Sequence, residues 1–253
     1  MKDSKISEIE SANFLEYISL EEYNFLTSIL RLEKEFALFT EIDLIYKEYI
    51  KIIKSLKIKP NHESVIWSLL YFVHFNFYFS IACLMRGYCV EAFGSVRRAI
   101  DAGLSAYLII EDNSSVTDYI NSEKRFVYIK NTLQKERDRD SFKFPLAEGL
   151  IELHENCSAY ASHADIKSFI HRIVIEKDKL GFNYFSIPED ENDFKLYFIV
   201  CLMSYYYLFR IFKVFIDLKL NKIVLPHLEK KYLDLESQLI ELRKKFYQAS
   251  KQT

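Results

Sequence analysis

Glycine and proline are scarce in this chain, five and four among 253 residues. An average protein would spend about 12% of its length on the two together. So few breakers cannot punctuate an all-β sandwich, which needs a turn signal roughly every ten residues. With half of the residues apolar, a low-complexity or disordered chain is excluded too. No Gly-x-Gly occurs, and no Gly-x-x-x-x-Gly-Lys, which removes the common nucleotide-cradling loops. Net charge is nearly absent: 34 basic against 36 acidic residues leave no overall field to draw nucleic acid. Cys-x-x-Cys is missing as well. Cys83, Cys89, Cys157 and Cys201 are scattered and read as free thiols of a cytoplasmic protein. The N-terminal Met-Lys-Asp-Ser-Lys-Ile-Ser-Glu has no apolar stretch of the kind a secretion signal needs.

What remains is long helices. Residues 7–57 keep a period near 3.6, with Leu26, Leu30, Phe36 and Leu38 ahead of Ile42, Ile45, Tyr46, Tyr49, Ile50 and Ile53. Lys59-Pro60-Asn61-His62 is the first stop. The next helix runs to Arg86 and ends at Gly87, the position of a left-handed C-cap. Further helices are expected over about 89–111, 115–138, 146–161 (with Pro145 at its start), 192–220 and 228–247. Between them, the β-branched run Ile170 to Ile175, a turn over 176–181 and the aromatic run Phe182 to Ile187 predict one small β-hairpin near 170–187. The fold class is therefore mainly all-α: one helical domain over 1–253. Residues 1–60 are readable as an N-terminal extension, 61–220 as the core bundle and 221–253 as a C-terminal helix.

From Val65 to Met85 no Asp, Glu, Lys or Arg occurs, and roughly 20 apolar residues can span a bilayer. His74, Asn76, Ser68 and Ser80 dilute the run, so a helix buried in a soluble core is expected rather than a membrane span. Aromatic residues are plentiful, 18 Tyr and 21 Phe beside Trp67. One helical domain hides that many with difficulty, which predicts a homo-oligomer. Charge is also uneven, nine acidic to four basic residues over 1–41 and five to eight over 217–253, a distribution that suits head-to-tail packing of subunits.

The segment 87–106 is the most informative. Ala92, Ser95, Ala99, Ala102 and Ala106 recur at three- and four-residue steps and leave one helix face nearly bare, open to close approach by another backbone. A second stripe, Val90, Phe93, Arg97, Asp101, Leu104 and Leu108, sets an arginine and an aspartate four apart in an apolar row. Burying such a pair costs several kcal/mol per ion unless further bonds satisfy it. Arg97 and Asp101 are thus either a structural tie or the lining of a polar site in which Arg97 or Arg98 forks onto an anion. Farther along, His154, Glu155, Cys157, His163, Asp165 and His171 lie close in sequence. His154 and Cys157 share a helix face, but the spacing matches no zinc signature, and neither metal nor cofactor is expected. His163 follows Ser158-Ala-Tyr-Ala-Ser162 at a helix end, where an imidazole can serve as a hydrogen-bonding or acid–base group.

Gly87, Ala92, Arg97 and Asp101 on one helix, then Ser158 and His163, a hairpin and a long apolar helix, resemble a group of prokaryotic all-helical proteins compared with the HEPN superfamily. The resemblance covers roughly residues 65–215, and Asp101 stands where a glutamate is usual. It implies a helical interaction protein of a toxin–antitoxin or phage-defence system. Its alternative implication is a metal-independent ribonuclease, with His163 as base and Arg97 as the stabiliser of phosphorane charge. HEPN ribonucleases carry Arg and His close together on one helix, whereas no histidine here has an arginine five to seven positions before it. Arg97 and His163 would have to meet in space. A protein partner is implied beside self-association; RNA stays open without support from the charge.

Overall fold

A computed structural model describes residues 14–55, 62–112, 115–121, 125–138, 147–161, 173–176, 179–182, 185, 187–188, 190–219 and 226–250. Nine helices lie among them: α1 Phe14–Arg31, α2 Glu33–Ser55, α3 His62–Arg86, α4 Cys89–Glu111, α5 Ser115–Asn121, α6 Arg125–Asp138, α7 Ala147–Ala161, α8 Glu191–Lys219 and α9 Pro226–Ser250. The mainly helical bundle expected from so few breakers is what the described residues form.

The α3–α4 corner organises it. Gly87 takes φ +89°, a left-handed conformation that costs a glycine nothing. Its N–H donates to the Leu84 carbonyl at 3.1 Å, and the Tyr88 N–H donates to the Cys83 carbonyl at 2.8 Å, the paired bonds of a Schellman cap. From that corner α4 folds back along α3. Ala92, Ser95, Ala99, Ala102 and Ala106 are all buried. The Ser95 hydroxyl donates to Asn76 Oδ1 at 2.7 Å, so the one buried amide of α3 finds its partner across the seam. On another side α4 meets α8 so closely that a β-carbon on Gly103 would lie 2.4 Å from Leu208 Cδ2.

The core then fills with aromatic rings, Phe77, Phe194, Phe198, Tyr205, Phe209 and Phe212 among them. Their polar ends are served where geometry allows. Tyr46 Oη donates to the Tyr205 carbonyl at 2.7 Å, and Tyr206 Oη to the Tyr232 carbonyl at 2.9 Å, which ties α2 and α9 to α8. All four cysteines are free and buried in this core. Burial pushes the Cys83 thiol up to about 11 and the Cys157 thiol up to about 12, so neither offers a thiolate near neutrality.

Three expectations about the elements change. The helix read over 7–57 is divided at Leu32 into α1 and α2, with no glycine or proline to mark the spot, and its ends 7–13 and 56–57 lie outside the described residues. Leu32 is fully buried, and the ladder runs through it: its N–H donates to the Ser28 carbonyl and its carbonyl accepts from the Phe36 N–H. The break separates two jobs, since α1 packs on α3 while α2 packs on α8 and α9 as part of the common core. The helix expected over 115–138 is divided into α5 and α6. The hairpin expected near 170–187 is confined to β1 (Ile173–Glu176) and β2 (Lys179–Phe182), antiparallel with Glu176 opposite Lys179. Phe185 and Ile187 do not extend β2. They cover the corner instead, Phe185 stacking on Tyr17 and tilting against Tyr88, and Ile187 closing over Gly87. Pro145 lies outside the described residues.

α1 gives its most buried positions to polar residues, beside the part-buried Phe25 and Ile29. Its buried residues are Asn24 and Ser28, while Leu26 and Leu30 are 60% and 80% exposed. The inward polar face has a reason. The last carbonyls of a helix lack intrahelical donors, and α1 supplies them to α3: Ser28 Oγ donates to the Met85 carbonyl at 2.8 Å and Asn24 Nδ2 to that of Arg86 at 3.4 Å. Arg86 answers with a 3.2 Å ion pair to Glu21 and a place over the Phe25 ring.

The close α4–α8 contact makes a definite prediction. Gly103→Ala puts a methyl into Leu208 and is expected to cost about 1–3 kcal/mol through overpacking, against the usual gain of alanine in a helix. Urea denaturation of the variant beside Gly103→Ala/Leu208→Ala checks it, because trimming Leu208 removes the clash.

Candidate functional site

α4 and α7 lie side by side, and the Arg97–Asp101 stripe of α4 faces the Leu150, His154 and Cys157 stripe of α7. Arg97 and Asp101 are only half-buried, and neither turns to the other. Both converge on His154, which is 2% exposed. Asp101 Oδ1 lies 2.9 Å from His154 Nε2, and Arg97 Nε–H approaches the same nitrogen at 3.4 Å. One ring nitrogen cannot donate to the carboxylate and accept from the guanidinium at once. The carboxylate is nearer but lies off the ring's N–H axis, and its Oδ1 is buried without a well-formed hydrogen bond. The guanidinium is farther and better aligned. We give the carboxylate the greater weight, because an ionic contact at 2.9 Å tolerates misalignment better than a stretched bond tolerates 3.4 Å. The carboxylate thus faces Nε2, while Nδ1 lies 3.5 Å from Ser158 Oγ. Ser158 itself donates to the His154 carbonyl one turn back at 2.7 Å.

Arg97, Asp101 and Ser158 therefore share one cluster, and its centre is His154, which the sequence reading weighed only as a zinc ligand. The signal was present in the matched i, i+4 spacing of Arg97/Asp101 and Leu150/His154, but nothing in one sequence says which two helices will face each other. Arg98 is elsewhere: exposed at the α3–α4 edge, with Nε 3.4 Å from Asn76 Oδ1. Ser162 and His163 lie outside the described residues. Among those described, no group of three or more His, Cys, Asp or Glu side chains is placed to hold a metal ion.

A second polar cluster went unnoticed in the sequence. Asp43 and Lys47, four apart on α2, meet His74 and Tyr78, four apart on α3. Asp43 Oδ1 accepts from Tyr78 Oη at 2.5 Å and from His74 Nε2 at 2.9 Å, while Lys47 Nζ pairs with Oδ2 at 2.6 Å. The His74 ring stacks on Tyr46 at 5.1 Å. Burial alone would raise the Asp43 carboxyl, but the bonds from Lys47, Tyr78 and His74 outweigh it and hold the group below its ordinary value. Burial lowers His74 below its ordinary 6.5, with Asp43 opposing.

No protein family, curated protein or solved structure was found to match the chain.

Two predictions come from these clusters. For His74, the unfolded chain binds the proton more readily than the folded one, so stability is full above pH 6.5 and falls as the pH drops below that value. Asp43 adds its own loss at lower pH, as its carboxylate takes up a proton in the folded state. Urea midpoints measured from pH 7.5 to 5 should decline, and His74→Gln should flatten the decline. At the α4–α7 cluster, His154→Ala leaves a cavity and a stranded Asp101 oxygen and should cost about 2–4 kcal/mol. Arg97→Ala removes a half-exposed group and should cost no more than about 1 kcal/mol. Denaturation of the two variants side by side reads the difference.

Proposed function

We propose that the protein is a helical interaction module that associates with a second copy of itself through the outer face of α3. The observation that carries this reading is a strip of five aromatic side chains, Tyr71, Phe72, Phe75, Tyr78 and Phe79, all exposed along one side of α3, with Phe75 the most open at 62%. Phe75 and Phe79 stack on each other at 6.3 Å, and both are exposed. Exposed aromatic surface of this kind marks protein interfaces, where rings supply contact area at little entropic cost.

α3 and α8 are both long and apolar enough to cross a bilayer. Each builds the core with its other residues: Trp67, Leu70, Val73 and Phe77 from α3, and most of α8. Withdrawing α3 into lipid would dismantle that core, which favours a protein partner over a membrane. The resemblance to HEPN domains suggests a setting, a prokaryotic toxin–antitoxin or phage-defence system. A cytoplasmic location belongs to the same proposal, since four reduced thiols suit a reducing compartment.

A second reading, metal-independent RNA cleavage, has one observation in its favour: Arg97 meets a histidine, His154. There the imidazole would take the 2′-hydroxyl proton and the guanidinium would face the phosphorane. Loss of RNA cleavage in both His154→Gln and Arg97→Ala is its test.

Self-association is expected to give a light-scattering mass of at least twice the 30.1 kDa chain at micromolar concentration. Phe75→Glu/Phe79→Glu should reduce it to a single chain that still unfolds cooperatively, because both rings are outside the core. A wild-type monomer, or recovery of the protein in a carbonate-washed membrane pellet, would overturn the proposal.

A further inference from the structure

The aromatic strip of α3 and the Asp43 cluster share a side chain. Tyr78 is exposed as part of the strip, while its hydroxyl donates to Asp43 Oδ1 at 2.5 Å and its ring tilts against the His74 ring at 4.7 Å. His74 is enclosed on its inner sides. Tyr46 of α2 stacks on the imidazole, the Phe77 ring lies 6.5 Å away, and behind Tyr46 stand Tyr205 and Phe209 of α8. Asp43 Oδ1 holds Nε2, and Lys47 is paired with the other carboxylate oxygen. Only 12% of the His74 side chain stays open to water. That opening lies on the outer side of α3, where Tyr71 and Tyr78, three residues before and four after, are its neighbours along the helix surface. Both belong to the strip. Whatever covers those two rings therefore closes the last access of the imidazole to water.

We infer that self-association through the α3 strip is gated by pH, and that a proton taken up by His74 releases the two copies. The inference rests on the self-association proposed above and names its regulation. Asp43 and Lys47 are the charges that act on His74, and they already balance each other. A proton on the imidazole leaves the cluster with one net positive charge. In the free chain that charge still meets water at the edge of the strip. Beneath a second copy it does not, and a buried ion without further compensation is costly. A two-fold pair carries the cost twice, once in each copy. Burial already holds His74 below its ordinary 6.5, so the free chain takes up this proton only below that pH. Association deepens the burial, and the associated form therefore binds the proton less readily than the free one. By linkage the affinity is full above pH 6.5 and falls as the pH drops below it. Asp43, held below its ordinary carboxylate range, stays ionised meanwhile.

Analytical ultracentrifugation in steps from pH 7.5 to 5.5, over the range in which circular dichroism shows the chain folded, reads the gate. The dissociation constant of the wild type should rise by about tenfold or more across that range. His74→Gln keeps a neutral hydrogen-bonding group beside Asp43 and cannot take up the proton, so its dissociation constant should stay level. A second measurement needs no variant. The ring-proton resonance of His74, followed by NMR in the wild type, should titrate at lower pH at an associating concentration than in dilute solution. A wild-type dissociation constant that does not change with pH overturns the inference with self-association intact. An equal rise in His74→Gln assigns the pH dependence to another group and overturns it too, as does a His74 titration that is the same at both concentrations. A wild type that is monomeric at pH 7.5 overturns self-association itself, and the gate with it.

Discussion

The turn at Gly87 is the constraint from which the rest of the arrangement follows. Its left-handed backbone reverses the chain within two residues, and its missing side chain leaves room for Ile187 to close over the corner. With α3 and α4 laid back along each other, the small residues of α4 fall against α3 and Ser95 meets Asn76. The arginine and aspartate of α4 are thereby turned toward α7. The same reversal leaves the aromatic side of α3 exposed. A polar cluster on one helix and an aromatic strip on the other are two results of one bend.

How far the sequence could be read depended on whether a feature was local. Gly87 as a C-cap, the bare face of α4 and the bounds of α3, α4, α7 and α8 all follow from short-range rules of periodicity and capping. The break at Leu32 carries no such mark, because it arises where one continuous helical pattern serves two different packing partners. The burial of polar residues in α1 was likewise hidden. Leu26 and Leu30 join a regular apolar period with Phe36 and Leu38, and that period gives no warning that Asn24 and Ser28 will be turned inward to the end of a helix some 60 residues away.

The candidate site shows the same divide. That Arg97 and Asp101 form a polar island in an apolar row is visible in the sequence, and the structure places them in one cluster. Their convergence on His154 depends on α4 and α7 being neighbours, a long-range fact. The Asp43–His74–Tyr78 cluster is longer in range still and had no motif to announce it. In both clusters a carboxylate meets a nearly buried imidazole at 2.9 Å. The first leaves a carboxylate oxygen without a well-formed bond, and the second satisfies it through two further partners.

The way α1 is fastened has a dynamic consequence. Its inward face is held by hydrogen bonds and ion pairs to the last turn of α3, beside the part-buried Phe25 and Ile29, whereas the other long helices bury many more apolar side chains in the core. Bonds of that kind exchange readily for bonds to water, so releasing α1 costs a small part of what global unfolding costs. Of the long helices, α1 is then the one expected to open first while the core stays shut. Its backbone amides should then be among the first to exchange with solvent, well ahead of those in α4 and α8.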